Sequence, residues 1–280
     1  MLYQQNFIRF NTPVAQAVAQ IFNVAERNQR NENDLLLVLI HGFKIKQETF
    51  FFFNCWPVYV FGPDYVGFDA NTFRNFFERY RQNQLDEDDF NAIPIEERMP
   101  RVHFTINIEM SIYMKVWETD FFIRQLYNLA RLVNNEIYNW DFNEQRFEDL
   151  GEKFIQHQII DRLNGRAPRM ATLLKNIYFP QIRGAIAHAR YHFNGVDSIS
   201  LTNKGYNNRR SYDKGSITIN EWNEIFSRVM LLYQHFWAQT EFWYSRYIDK
   251  LINKNGMLEV TTPDGIENIP PDDRHMWGRV

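Results

Sequence analysis

The sequence predicts a mainly α-helical chain, with a helical bundle in its C-terminal half, a small β-hairpin inserted before the last helix, and an α or α+β region in front. Three observations predict it. From Glu118 onward apolar residues recur at helical intervals over long stretches. The segment ISLTNKGYNNRRSYDKGSITI interrupts that texture with two short β-prone runs around a polar, basic middle. The first part of the chain instead mixes helical spacing with nearly continuous apolar runs. These shifts divide the chain into an N-terminal region, 1–115, to which the sequence assigns no role, a bundle over 116–256, and an irregular tail over 257–280.

In chain order, Thr12 followed by Pro13 starts a helix that runs to about Arg30, because a capping hydroxyl and a first-turn proline suit a helix N-terminus. DLLLVLIHGFKIKQETFFFF fits a buried helix or a strand, and the Gly and Pro residues of WPVYVFGPDYVG mark turns. Asn71 to Gln84 is helical in pattern, and QLDEDDFNAIPIEERMP is an exposed acidic connector. RVHFTINIE alternates as a strand does. ETDFFIRQLYNLARLVNNEIYNW then sets Phe122, Leu126, Leu129, Leu132 and Val133 on one buried stripe. Further helices are predicted over Phe147 to Leu163 and Ala167 to Phe179. The next begins after Pro180, with Gly195 ending that region. Asn220 caps the long last helix.

Composition bounds the classes. The chain has 280 residues, enough for one large or two ordinary domains, and 25 Phe and 14 Tyr with an ordinary charged fraction indicate a globular protein. One cysteine, Cys55, excludes an intrachain disulfide framework and a cysteine-rich zinc site, and it suits a reducing compartment. The N-terminus lacks the pattern of a secretory leader, and the apolar runs are too short or interrupted to span a bilayer. The expected location is cytoplasmic, with no membrane partner. A net charge of -3 argues against a generic nucleic-acid coat protein. Locally the balance reverses: eleven lysines and arginines lie between Gly151 and Gly215, against Glu152, Asp161, Asp197 and Asp213. That favours approach of a polyanion, although such charges also occur on an ordinary solvated surface.

The segment with most chemistry is IRGAIAHARYHFN, Ile182 to Asn194, which sets Arg183 and His188 five positions apart. Arginine offers a fixed cation and a planar fork of donors for phosphate; histidine exchanges a proton near neutral pH. On a regular helix the two differ by about 140° around the axis, so convergence needs a long arginine reach, a local distortion or a second copy of the helix. The ordinary alternatives are a salt bridge for Arg183 and a helix histidine satisfied by a carbonyl or an Asp for His188. Arg190 and Tyr191 are candidates to contact RNA backbone or stack on a base, or else a solvent-facing Arg and a packing Tyr. Asn203, Lys204, Arg209 and Arg210 belong to a polar excursion that can position RNA or form a solvated tip. His188 and His192, four apart, permit a weaker two-histidine metal reading with Asp197. No GxSxG or GxGxxG occurs.

RGAIAH at 183–188, with its helical surroundings, resembles the Arg-x4-His motif of the HEPN superfamily, whose members include endoribonucleases of toxin and phage-defence systems. Residue 184 is Gly where those proteins usually carry Asn, Asp or His. The resemblance implies a homodimer whose two motif helices face each other across a shared cleft, lined by Arg183 and His188 of each subunit. It also implies metal-independent, cofactor-free RNA cleavage by 2'-OH attack, giving 2',3'-cyclic phosphate and 5'-OH ends, with a possible antitoxin protein as partner. The alternative is a catalytically inactive HEPN-like module that binds RNA or a protein.

Overall fold

In the computed structural model the described residues are 4–40, 92–118, 120–140, 142, 152–202, 215–252, 254–263 and 265–269. They are mainly helical, with small antiparallel sheets. Expectations for HGFKIK through the first part of the acidic connector, before Ala92, lie outside them, including the helix over 71–84 and Cys55. Two compact units emerge. The first comprises Met1–Gln16, Val60–Phe122 and Thr172–Tyr233; the second comprises Ala17–Tyr59, Ile123–Ala171 and Gln234–Val280. Among the described residues no helix is long and apolar enough to cross a membrane.

Eight helices are described. They are α1 (Gln4–Asn28), α2 (Asp34–Leu39), α3 (Ile95–Glu118), α4 (Asp120–Val133), α5, α6 (Pro168–Ile177), α7 (Pro180–Ala187) and α8 (Ile219–Leu251). Helix α5 consists of a turn Glu152–Phe154, a π-helical stretch Ile155–Ile160 and a final turn Asp161–Leu163. Strands β1 (Tyr191–Asn194), β2 (Ser198–Leu201) and β3 (Ser216–Thr218) form an antiparallel sheet in that order, and β4 (Leu258–Thr262) pairs with β5 (Gly265–Ile269).

Helix α3 is the spine of the first unit, and it corrects the strand expected at RVHFTINIE. Val102, Ile106, Glu109, Met110, Tyr113, Val116 and Trp117 are buried, at spacings of three and four. The nine-residue alternation is a fragment of this longer helical period, and burying that stripe decides the outcome. Trp117 meets Tyr178 at 5.0 Å between ring centroids, Tyr113 meets Trp222 at 5.6 Å, and Trp222 stacks on Phe226. The Tyr113 hydroxyl donates to the carbonyl of Ile177 at 3.0 Å and accepts the N–H of Phe179 at 3.1 Å. It thus satisfies two of the backbone groups left free where α6 stops and α7 begins.

One carboxyl is sealed in the same core. Glu109 has no exposed surface and accepts the indole N–H of Trp222 on α8 at 2.6 Å. Burial pushes its carboxyl well above the usual carboxylate range, against the opposing effect of the Trp222 hydrogen bond.

In the second unit the stripe Leu126, Leu129, Leu132 and Val133 of α4 is buried as expected, and Phe122 is buried in the first. Asn28 of α1 donates to the carbonyl of Val133, and Phe22 of α1 meets Phe236 of α8 edge to face at 5.1 Å. Three further boundaries differ from expectation. Helix α1 begins at Gln4 and carries Pro13 in its interior, where Thr12 and Pro13 were expected to start it. Thr218, not Asn220, caps α8: its hydroxyl accepts the N–H of Glu221 at 3.1 Å while the Glu221 carboxylate accepts the N–H of Thr218 at 2.8 Å. This reciprocal box satisfies two donors, which Asn220 inside the helix cannot do. The segment expected to be an irregular tail contains the β4 and β5 hairpin, whose residues Leu258, Val260 and Thr262 turn inward in strict alternation. That period outweighs the turn-forming residues behind the irregular reading.

Two measurements test this core. Tyr113→Phe should lower unfolding stability by about 1–3 kcal/mol, because two backbone groups lose their partner; the urea midpoint should fall with an unchanged slope. For Glu109, a folded-state pKa above the unfolded one contributes stability fully at pH below the ordinary carboxyl range, and that contribution is lost as pH rises through the raised value. Urea unfolding of the parent should therefore show stability declining as pH rises above the ordinary carboxyl range, and Glu109→Gln should flatten the decline.

Candidate functional site

The candidate residues cluster in the first unit around α7 and β1. Pro180 occupies the first turn of α7, after Phe179 in an extended conformation, as proline geometry favours. The helix stops sooner than expected. His188 is its C-cap, and Ala189 takes the left-handed conformation at φ 50°. The N–H of Ala189 donates to the carbonyl of Ile186 at 3.1 Å and that of Arg190 to Ala185 at 2.7 Å, the paired closure of a Schellman end. Gly195, expected to end this helical region, lies instead at φ 61° in the turn between β1 and β2. No glycine marks the true stop, so the sequence carried no signal for it.

Arg183 is half-buried on α7, between the buried Ile182 and Ala185. Its Nε donates to Oε1 of Glu118, the last residue of α3, in an ion pair whose side chains are 22% and 39% accessible. Burial works against the guanidinium charge, but the hydrogen bond and charge of Glu118, with the nearby Tyr178 hydroxyl, outweigh it and raise the pKa. Arg183 is therefore a permanent, oriented cation. Spacing within the motif could not reveal Glu118, which lies 65 residues away in sequence.

His188 is exposed, and among the described residues its ring has no hydrogen-bond partner. The exposed Arg190 side chain also has none, while its carbonyl accepts the N–H and hydroxyl of Thr202. Tyr191 is half-buried, and its hydroxyl donates to Asn107 of α3 at 2.7 Å. Its β1 neighbour Phe193 stacks on His103 at 4.2 Å, and His103 Nε2 lies 2.7 Å from the carbonyl of Gly195. Asn203, Lys204, Arg209 and Arg210 lie outside the described residues.

The two-histidine metal reading loses its geometry. His188 ends α7 and His192 belongs to β1, so they share no helix face. Among the described residues no group of three His, Cys, Asp or Glu side chains gathers as a metal site. What the arrangement offers chemically is a held guanidinium, an accessible imidazole five residues on, and a further exposed arginine where α7 gives way to β1.

No family model matches the chain, no curated protein matches it, and no solved structure matches its fold. The functional reading therefore stands on these residues and on the motif.

The helix end makes a simple prediction. Alanine in the left-handed region costs about 1–2 kcal/mol, partly offset because glycine makes the unfolded chain more flexible. Ala189→Gly should stabilise the protein by roughly 0.5–1 kcal/mol, read as a rise in its thermal midpoint.

Proposed function

We propose that the chain is a HEPN-like, metal-independent endoribonuclease with a toxin or antiphage role, acting as a cytoplasmic homodimer. The observation that supports it best is the placement of RGAIAH on one short helix, with Arg183 held as a cation and His188 accessible at the helix end. In the reaction, the ribose 2'-oxygen attacks the adjacent phosphorus and the bond to the 5'-oxygen breaks. His188 of one subunit accepts the 2'-OH proton and that of the other protonates the leaving oxygen, while Arg183 binds the nonbridging oxygens as charge develops. The products are a 2',3'-cyclic phosphate and a 5'-OH. DNA, which lacks the 2'-OH, is not cleaved by this route. Arg190, Tyr191, Asn203, Lys204, Arg209 and Arg210 are the proposed RNA contacts, Tyr191 having to exchange its bond to Asn107 to serve as one. An antitoxin protein is the natural partner of such an activity.

A second reading, a catalytically inactive HEPN-like module that binds RNA or protein, is favoured by one pairing. Gly184 supplies no polar side chain beside Arg183, and Glu118 already neutralises part of its charge.

Cleavage of a mixed, labelled RNA pool in EDTA separates the two. The parent should produce cyclic phosphate and 5'-OH ends, and His188→Ala should lower the rate by about 10²–10⁴-fold. A folded, dimeric parent that binds RNA and leaves it intact would establish the binding module instead.

A further inference from the structure

The first unit brings to Arg183 a group that the motif does not contain. A guanidinium has five N–H donors in a rigid plane; Nε with one Nη forms one edge, and the two Nη groups form another. Glu118 engages Nε. The edge formed by the two Nη groups has the parallel geometry that matches two phosphate oxygens, and the Tyr178 hydroxyl also lies at this guanidinium. The pair is half-buried, so its orientation is restrained while a ligand can still reach it. Its surroundings are packed and hydrogen-bonded. Tyr178, beside the guanidinium, packs its ring on Trp117, and Tyr113 ties the start of α7 to α3 one turn before Arg183. Gly184 lends no side chain to this task, and a Cβ built there would meet nothing within 4 Å, so the neighbouring position orients nothing.

We infer that Glu118 is the positioning residue of this site, gripping Arg183 by Nε so that its Nη edge is presented to a phosphate of bound RNA. The identity of that ligand rests on the ribonuclease reading; the grip does not. An opposite role is physically conceivable, in which the carboxylate occupies the place of the phosphate and must be displaced. The two roles predict opposite signs on mutation. The Nε attachment favours positioning, because a carboxylate competing for the phosphate edge would bind the two Nη groups.

The experiment combines kinetics with the guanidinium ¹⁵N resonances of Arg183, identified by their loss in Arg183→Lys. Glu118→Gln keeps an acceptor without the charge, and Glu118→Ala removes both. Each is measured below its unfolding midpoint, with labelled RNA in EDTA and with a 2'-O-methyl oligoribonucleotide, which this route cannot cleave. Positioning predicts a loss of about tenfold in kcat for Glu118→Gln, more for Glu118→Ala, with KM changed little. The Arg183 Nε resonance should move in both variants, and its response to the oligonucleotide should shrink. Unchanged kcat overturns the proposal, and so does increased kcat or tighter RNA binding. A parent that cleaves nothing retires the ribonuclease reading alone, and the resonances then decide. An Arg183 response to the oligonucleotide that depends on Glu118 sustains the proposal, while no response, or an equal response in all three proteins, overturns it.

Discussion

The hydroxyl of Tyr113 is the constraint on which the candidate site depends. One oxygen, buried in the core of the first unit, serves both the last carbonyl of α6 and the N–H that precedes α7. A helix-to-helix corner buried without such a partner would leave two peptide groups unsatisfied. With it, the direction of α7 is set by α3, and the later attachments follow in order down the same helix: Arg183 on Glu118, Tyr191 on Asn107, Gly195 on His103. From Arg183 to Gly195 the chain is thereby laid antiparallel along α3, although none of it is continuous with that helix. The short helix bearing the motif has only eight residues and would be marginal alone. Its stability comes from this line of contacts.

Two acidic residues of α3 show how depth decides the use of a charge. Glu109 is sealed and hydrogen-bonded by an indole, and burial drives it toward the neutral acid. Glu118, nine positions on and near the surface, faces an arginine and keeps that partner charged. The first arrangement links folding to proton uptake; the second makes a fixed electrostatic element with access to ligands. A buried pair would have lost more to desolvation than it gained, and a fully exposed one would leave the guanidinium free to rotate.

What the sequence made legible follows the strength of the local period. The α4 stripe, the start of α7 at Pro180 and the strands on either side of 203–214 were readable, because each rests on a long pattern or a residue with restricted backbone geometry. RVHFTINIE misled because a short alternation can be cut from a helical repeat. The stop at Ala189 was invisible because alanine seldom takes the left-handed conformation, and here tertiary contacts on both sides enforce it. The sequence reading named Asn220 as the cap of α8 and passed over the Thr-x-x-Glu box that begins at Thr218. In the site, Arg183 and His188 were visible as residue types at a spacing, whereas Glu118 and Tyr113 act from a helix distant in sequence and carry no local mark.

The β1–β2–β3 sheet has one more consequence, for self-association. Its outer strands are four and three residues long, and β3 runs directly into α8. On β1 the inward residues Tyr191 and Phe193 are engaged by Asn107 and His103 of α3, and the outward ones are His192 and Asn194. Edges this short, with polar outward side chains, offer a foreign strand few backbone hydrogen bonds and no apolar stripe to extend. Among the described residues, the edges of this sheet, which lies beside the candidate helix α7, are thus poor templates for strand addition. Pairing of copies through these two strand edges is therefore disfavoured.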